Sequence, residues 1–244
     1  TWSSMKKLKE FFDEYTIKAR IFPALTVITP FIIVVGINFN SLDLTLNTLL
    51  AVSLLTFLGI VSRDFGKKEE DKIVKKLGAY QTTILLRYSD TSIDSFTKTR
   101  YHKYLNRKIP ELNLPELQEI EEKDTKKANE KYNSAVRWLR NNRRDKEEFP
   151  LVFKDLITYG YTRNLYGIKN ISIIIYLLLI LLSMIYFNYE NKLSFNIFEM
   201  KTRVILTFLV LIISLITVIF GITKQIVISQ GYAYARSILE TCDE

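Results

Sequence analysis

Four long stretches of this chain contain no charged residue, and they limit its fold more than anything else in it. They are Ile21–Ile37, Leu44–Ser62, Ile171–Phe187 and Val204–Ile222. At about 1.5 Å rise per residue, a helix of that length covers most of the ~30 Å hydrocarbon core of a bilayer. Charged residues still make up 25% of the chain, so they are crowded into the remainder. That remainder offers too little apolar surface to bury four such helices in a soluble core. The expected fold is an all-α membrane protein with four transmembrane helices and a helical cytosolic insert between spans 2 and 3.

Basic residues set the expected orientation. Lys6, Lys7, Lys9, Lys18 and Arg20 precede the first run, and the connection Asn38–Asp43 has no basic residue. The segment Arg63–Asn170 holds twenty-four of the thirty-four Lys and Arg. Between the last two runs, Lys192, Lys201 and Arg203 are roughly balanced by Glu190 and Glu199. Both termini and the central segment therefore belong in the cytoplasm. No small-residue cleavage pattern follows the first run, so it reads as a span and not as a secretion signal.

Five parts follow. Residues 1–20 form an interfacial helix with Leu8, Phe11, Phe12 and Tyr15 on one face, and 21–62 form a hairpin of two spans. Residues 63–170 are a basic cytosolic domain, 171–222 a second hairpin, and 223–244 a cytosolic C-terminal helix. Pro23 is expected in the first turn of its span at little cost, whereas Pro30 should bend the helix mid-membrane.

Within the central segment, Val61–Gly78 continues the second span. "AYQTTILLRYSD" suits either a strand or a buried helix, and Ser92–Lys108 reads as a helix. Glu116–Asp145 reads as one long helix with an apolar stripe of Ala128, Tyr132, Ala135, Val136 and Leu139, or as two with Asp124 capping the second. Phe149–Ile168 reads as an amphipathic helix running on into the third span, and residues 223–240 as a prolongation of the fourth.

Catalytic chemistry is not expected. There is one histidine, His102, and one cysteine, Cys242, so neither a paired metal site nor an internal disulfide arises. Nucleophile elbows and glycine-rich phosphate loops are missing, and no cofactor is called for. No Asp, Glu, Lys, Arg or His lies inside the four runs, which argues against proton- or ion-coupled transport. The runs do carry Asn47, Ser53, Thr56, Ser183, Thr207, Ser214 and Thr217.

In the fourth run, Thr207, Val210, Ser214, Thr217, Gly221 and Lys224 follow one helical stripe. Such a stripe packs helices closely, or lines a narrow pore where several copies meet on an axis. The pore reading takes Ser53, Thr56, Thr207, Ser214 and Thr217 as the lining. Four short spans enclose no roomy channel alone, so this reading requires a homo-oligomer, with a tetramer as the expected count.

The central segment has twenty-four basic against seventeen acidic residues. Attraction to anionic membrane lipids accounts for part of that excess. Three clusters interleave arginine with aromatic residues. "LLRYSD" gives Arg87 beside Tyr88, and "TRYHKYL" gives Arg100, Tyr101 and His102. "YGYTRNLYGIKN" gives Arg163, Asn164 and Lys169 among three tyrosines. Arginine offers bidentate phosphate contact and tyrosine a ring for stacking a base. The candidate ligand set is therefore Arg87, Arg100, Tyr101, His102, Arg163, Asn164 and Lys169, for an anionic nucleotide or short DNA oligomer. The same residue types also anchor helices at the membrane interface. Arg137, Arg140 and Arg144 read as a solvated or lipid-facing stripe.

Taken together, "SRDFGKKEEDKIVKKLGAYQTT", "LLRYSD", "RYHKYL" and "EFPLVFKDLITYGYTRNLYGIK" resemble a family of small four-span bacterial inner-membrane proteins with a cytosolic insert. The likeness covers roughly residues 18–185, and its most particular element is the Tyr-Gly-Tyr-x-Arg-Asn-Leu-x-Gly run. The chain is similar, more specifically, to the membrane effectors of the Hailong anti-phage system. That resemblance implies a homo-oligomeric ion channel in the bacterial inner membrane. It also implies gating by a DNA-oligomer signal from a nucleotidyltransferase partner. One departure stands out: "GAYQTT" replaces the family's Gly-Lys-Pro-Thr-Thr, so Tyr80 and Gln81 remove any contact made by that lysine. The competing expectation is a non-conducting membrane scaffold or sensor for a cytosolic protein or anionic lipid.

Overall fold

A computed structural model describes residues 13–38, 44–115, 117–190, 193 and 200–243, with 44–51 described in backbone only. The expected face of Leu8, Phe11 and Phe12, the connection at 39–43, most of 191–199 and the Asn47 side chain lie outside the described residues. Every described element is helical. In chain order these are α1 (Glu14–Asn38), α2 (Leu44–Leu77), α3 (Gln81–Leu86), α4 (Ser95–Lys108) and α5 (Gln118–Lys123). They continue with α6 (Thr125–Asn142), α7 (Pro150–Gly167), α8 (Lys169–Tyr189), α9 (Thr202–Gly221) and α10 (Lys224–Glu240).

The chain divides into an apolar unit, Thr1–Glu69 with Gly160–Ile226, and a polar unit, Glu70–Tyr159 with Val227–Glu244. All three chain crossings between them fall inside helices, namely α2, α7 and α10. Among the described residues, α1, α8 and α9 are long and apolar enough to cross a membrane. The remaining uncharged run, Leu44–Ser62, forms the opening half of α2.

Asp13 caps α1, its carboxylate accepting from Thr16 N at 2.5 Å. Starting there puts Pro23 well inside the helix, and not in the inexpensive first turn. Proline has no N–H for the carbonyl four residues back, and its ring crowds that carbonyl. Here the carbonyl belongs to Ala19. The backbone widens into a π turn over Ile17–Ile21, with Phe22 N bonding Ile17 O. Ala19 O instead accepts from Asn164 Nδ2 of α7 at 2.7 Å. Pro30 is also interior to α1 and buried.

α7 meets both α1 and α2 through one face, because Gly160, Asn164 and Gly167 recur at four- and three-residue spacing. A Cβ at Gly167 would fall 2.3 Å from Gly66 N, and one at Gly66 would fall 2.5 Å from Asn164 Oδ1. A Cβ at Gly160 would meet Ala19 Cβ and the Tyr15 hydroxyl at 3.0 Å. Small residues on both partners let the helix backbones touch. Asn164 is fully buried, and each of its polar groups is engaged. Besides the bond to Ala19, Oδ1 accepts from Arg163 Nε at 3.1 Å and the backbone carbonyl accepts from Ser62 Oγ at 3.2 Å.

α7 does not run unbroken into α8 as expected: Ile168, at φ −94° and ψ 3°, separates them. α8 and α9 pack around Tyr176, Val218 and Ile222, and the Tyr176 hydroxyl donates to Val27 O of α1 at 3.0 Å. α9 ends in a π turn over Thr217–Gly221 followed by extended backbone at Ile222. α10 is therefore a separate helix and not a prolongation of α9. Lys169 Nζ donates to Ile219 O and Ile222 O, both at 2.7 Å, serving carbonyls that the helix end leaves open.

In the polar unit, α2 stops at Gly78, whose φ of +82° suits the left-handed cap of a helix. The "AYQTTILL" stretch resolves as helix: α3 buries Gln81, Thr82, Thr83, Leu85 and Leu86. Asp124 breaks the long polar segment and caps α6, accepting from Lys127 N at 3.0 Å. α6 buries Ala128, Tyr132, Ala135, Val136 and Leu139, the stripe read from the sequence.

The Gly66–Gly167 crossing has a direct test. Gly167→Ala should cost about 1–3 kcal/mol, as overpacking a closed contact does, read as a lower thermal midpoint in detergent. Gly36→Ala, with nothing within 4 Å of the added carbon, should leave the midpoint level or raise it. Equal midpoints for the two variants would rule out the close crossing.

Candidate ligand cleft of the polar unit

The seven candidate ligand residues do not share one setting. Arg163, Asn164 and Lys169 belong to the apolar unit, where Asn164 and Lys169 hold helix carbonyls and Arg163 bonds Asn164. Arg87, Arg100, Tyr101 and His102 belong to the polar unit.

α4 presents two faces there. One buries Lys98, His102 and Leu105. Lys98 Nζ donates to Arg87 O at 2.6 Å and to Asp90 O, clamping the turn after α3. Glu121, 3% exposed, accepts from Tyr88 N at 2.9 Å and from the Tyr132 hydroxyl at 2.7 Å. His102 places Nε2 2.9 Å from Leu86 O and Nδ1 3.3 Å from Pro115 O. Arg87 Nε donates to Asn129 Oδ1 at 2.9 Å. "LLRYSD" and "RYHKYL" thus meet in one buried polar network, which takes up the Arg87 and His102 side chains.

Burial dominates the ionisation of this network. It lowers the Lys98 ammonium below its usual range, against the pull of Asp90, Glu121 and Asp94. It also lowers His102, against the two carbonyls, with Lys98 adding to the lowering. The Tyr132 hydroxyl is held protonated by burial and then by its bond to Glu121.

The other face of α4 opens on a cleft of about 250 Å³, lined by Ser92, Asp94, Thr97 and Tyr101 with Arg236 and Glu240 of α10. Asp94 caps α4 by accepting from Thr97 N at 2.9 Å. Hydrogen bonds to Thr97, first of all to its backbone, keep that carboxyl below its usual range. Burial, and then Asp243 and Glu240, push the Tyr101 hydroxyl up to about 12. Arg100 stands beside the cleft, its Nε 2.9 Å from Asp243 Oδ1 and its Nη2 3.0 Å from Thr97 Oγ1. Behind it, Arg143 bonds the Tyr104 hydroxyl and Thr241 Oγ1 and lies 4.6 Å over the Phe149 ring.

Arg236 is different. It lines the cleft with no acidic partner among the described residues. The cleft therefore offers a guanidinium for an anionic group, carboxylates for amino donors, and hydroxyls of both kinds. Sequence reasoning missed Arg236, although "GYAYARS" interleaves tyrosine and arginine as the three chosen clusters do.

The candidate pore residues also divide. Thr207 is fully buried within the chain, donating to Arg203 O at 2.8 Å and accepting from Asn38 Nδ2 at 2.9 Å. Ser214 is half-buried, while Ser53, Thr56 and Thr217 are exposed. Thr56, Ser214 and Thr217 each donate to the carbonyl four residues back, at 2.7–2.9 Å. Their hydroxyl protons are used inside their own helices, and their acceptor lone pairs remain open.

The fold defines a class: a helical protein with three membrane-length apolar helices and a separate polar helical unit. No family, curated protein or solved structure matches the chain more particularly.

His102 gives a pH test. Its ordinary value is 6.5, and burial holds it lower in the folded chain. Unfolded chains then bind this proton first on acidification, so its contribution to stability is present above pH 6.5 and fades as pH falls through the depressed value. The thermal midpoint should drop more steeply from about pH 7.5 to about pH 5 in the native chain than in His102→Gln. Parallel slopes would remove His102 as the cause.

Proposed function

We propose that the protein is a homo-oligomeric ion channel whose cytosolic polar unit binds an anionic nucleotide or short DNA oligomer. In this reading α1, the first half of α2, α8 and α9 are the four spans, and both termini face the cytoplasm. The observation that carries the reading is the placement of Arg236. It lines the cleft from α10, and α10 is joined to α9 by only Ile222 and Thr223. A phosphate held by Arg236, with a base beside Tyr101 and its amino groups on Asp94 or Glu240, would restrain the far end of α10, the helix whose opposite end forms that joint. Thr217 and Ser214 lie just before it, on the part of α9 that would line the lumen between copies. The π turn there leaves backbone that can reseat between helical forms.

The likeness to the Hailong effectors supports a role in bacterial anti-phage defence in the inner membrane, with a nucleotidyltransferase partner supplying the signal. A tetramer is the stoichiometry proposed. The second reading, a non-conducting scaffold, is favoured by Thr207, whose hydroxyl is spent on a dry contact with Asn38 inside one chain.

Flux through liposomes containing the purified full chain decides between them. Ion flux should change several-fold on adding short DNA oligomers. Arg236→Ala should shift the oligomer concentration needed by about tenfold or more, the loss expected for one charge-assisted contact. Arg137→Ala, on the exposed face of α6, should leave it in place. An intact oligomer that conducts under no ligand would leave the scaffold.

A further inference from the structure

A second cavity, also of about 250 Å³, lies inside the apolar unit between α1 and α2. The π turn of α1 supplies Arg20, next to Thr16. From α2, Thr56, Gly59, Ile60 and Arg63 recur at three- and four-residue spacing along one face. The helices are within contact distance there, since a Cβ at Gly59 would lie 3.7 Å from Arg20 O.

Two guanidiniums line this cavity and no carboxylate does. Among the described residues neither has an acidic partner, and Arg20 only lies over the Tyr15 ring at 5.5 Å. Like charges sharing one concavity repel unless an anion sits between them. Arg20 stands immediately before the run Ile21–Ile37, and Arg63 immediately after Leu44–Ser62. The two therefore mark the same end of the α1–α2 hairpin, at headgroup level if both helices span. Below the arginines the walls turn apolar at Ile21 and Ile60, and the adjoining Phe22 and Phe57 are exposed.

We infer that this cavity binds the phosphate of an anionic phospholipid, with Arg20 and Arg63 on the phosphate oxygens. Thr16 is within reach of the glycerol, and an acyl chain lies along Ile60 and Phe57. A soluble phosphate would satisfy the arginines but leave the apolar walls uncovered, which is why the lipid is favoured. The inference rests on α1 and α2 crossing the membrane. It does not depend on conduction or on the Arg236 cleft.

The test uses the full chain extracted from mixed bilayers of phosphatidylglycerol and phosphatidylcholine, with retained lipid read by native mass spectrometry. The native chain should keep phosphatidylglycerol in preference to phosphatidylcholine, and glycerol 3-phosphate should not displace it. Arg20→Gln with Arg63→Gln should lower retention by about tenfold or more, the effect of removing charge-assisted hydrogen bonds. Arg20→Lys with Arg63→Lys, which keeps the charge but not the planar fork, should also lose most of it. Arg137→Gln with Arg140→Gln should lose none. Equal retention of the two lipids by the native chain overturns the site without needing any variant. Displacement by glycerol 3-phosphate would assign the cavity to a soluble anion. Full retention by the lysine pair would reduce it to unspecific attraction.

Discussion

The close crossing of α2 and α7 is the contact on which the apolar unit depends. Without side chains at Gly66 and Gly167 the two backbones approach to touching distance, and only then can Asn164 reach Ala19. That carbonyl needs an outside donor because Pro23 cannot supply one. In a bilayer no water would substitute, and an orphaned backbone group costs several kcal/mol. A proline in one helix, an asparagine in another and two glycines thus form one dependency, spread over more than a hundred residues of sequence. This accounts for the specific polar chemistry of "YGYTRNLYGIKN" without invoking a ligand: much of it closes helices against one another.

The polar unit solves a different problem. Beside its apolar core it buries Lys98, Glu121 and His102 among backbone groups and tyrosines. Each buried charge is matched by several hydrogen bonds, the condition under which such burial is tolerated. The network fixes the turn after α3 and one face of α4. The other face of α4 is thereby held at a set angle, with Thr97 and Tyr101 turned towards α10. Arg100, the most conspicuous basic residue of the sequence motif, pairs with Asp243 at the exposed surface.

Much of the fold was legible because it follows from periodicity and composition. The uncharged runs give the apolar helices, the stripe of α6 is recovered residue for residue, and Asp124 acts as the cap its type suggests. What escaped was nonlocal. Nothing near Pro23 says that the helix begins at Asp13, since the cost of that choice is met by Asn164 far along the chain. The chain order of α9 and α10 suggests one long helix, but the break at Ile222 depends on Lys169 taking up the freed carbonyls. Lys98 and Glu121 look like ordinary surface charges, and only the tertiary structure shows what they bond. Of the residues that line the candidate cleft, the sequence motifs single out only Tyr101, although Arg236 obeys the same local rule.

The passage of α2, α7 and α10 across the unit boundary without a loop also constrains how such a chain can change in length. One residue inserted into α2 near Glu69 would turn every later side chain of that helix by about 100°. The face of α2 that meets Gly167 would keep its register, while each side chain beyond the insertion would move round the helix axis. Insertions of about seven or eleven residues come close to restoring the phase, each with about 20° of drift. Loops elsewhere can lengthen freely, but in these three rods the residue count is itself part of the structure.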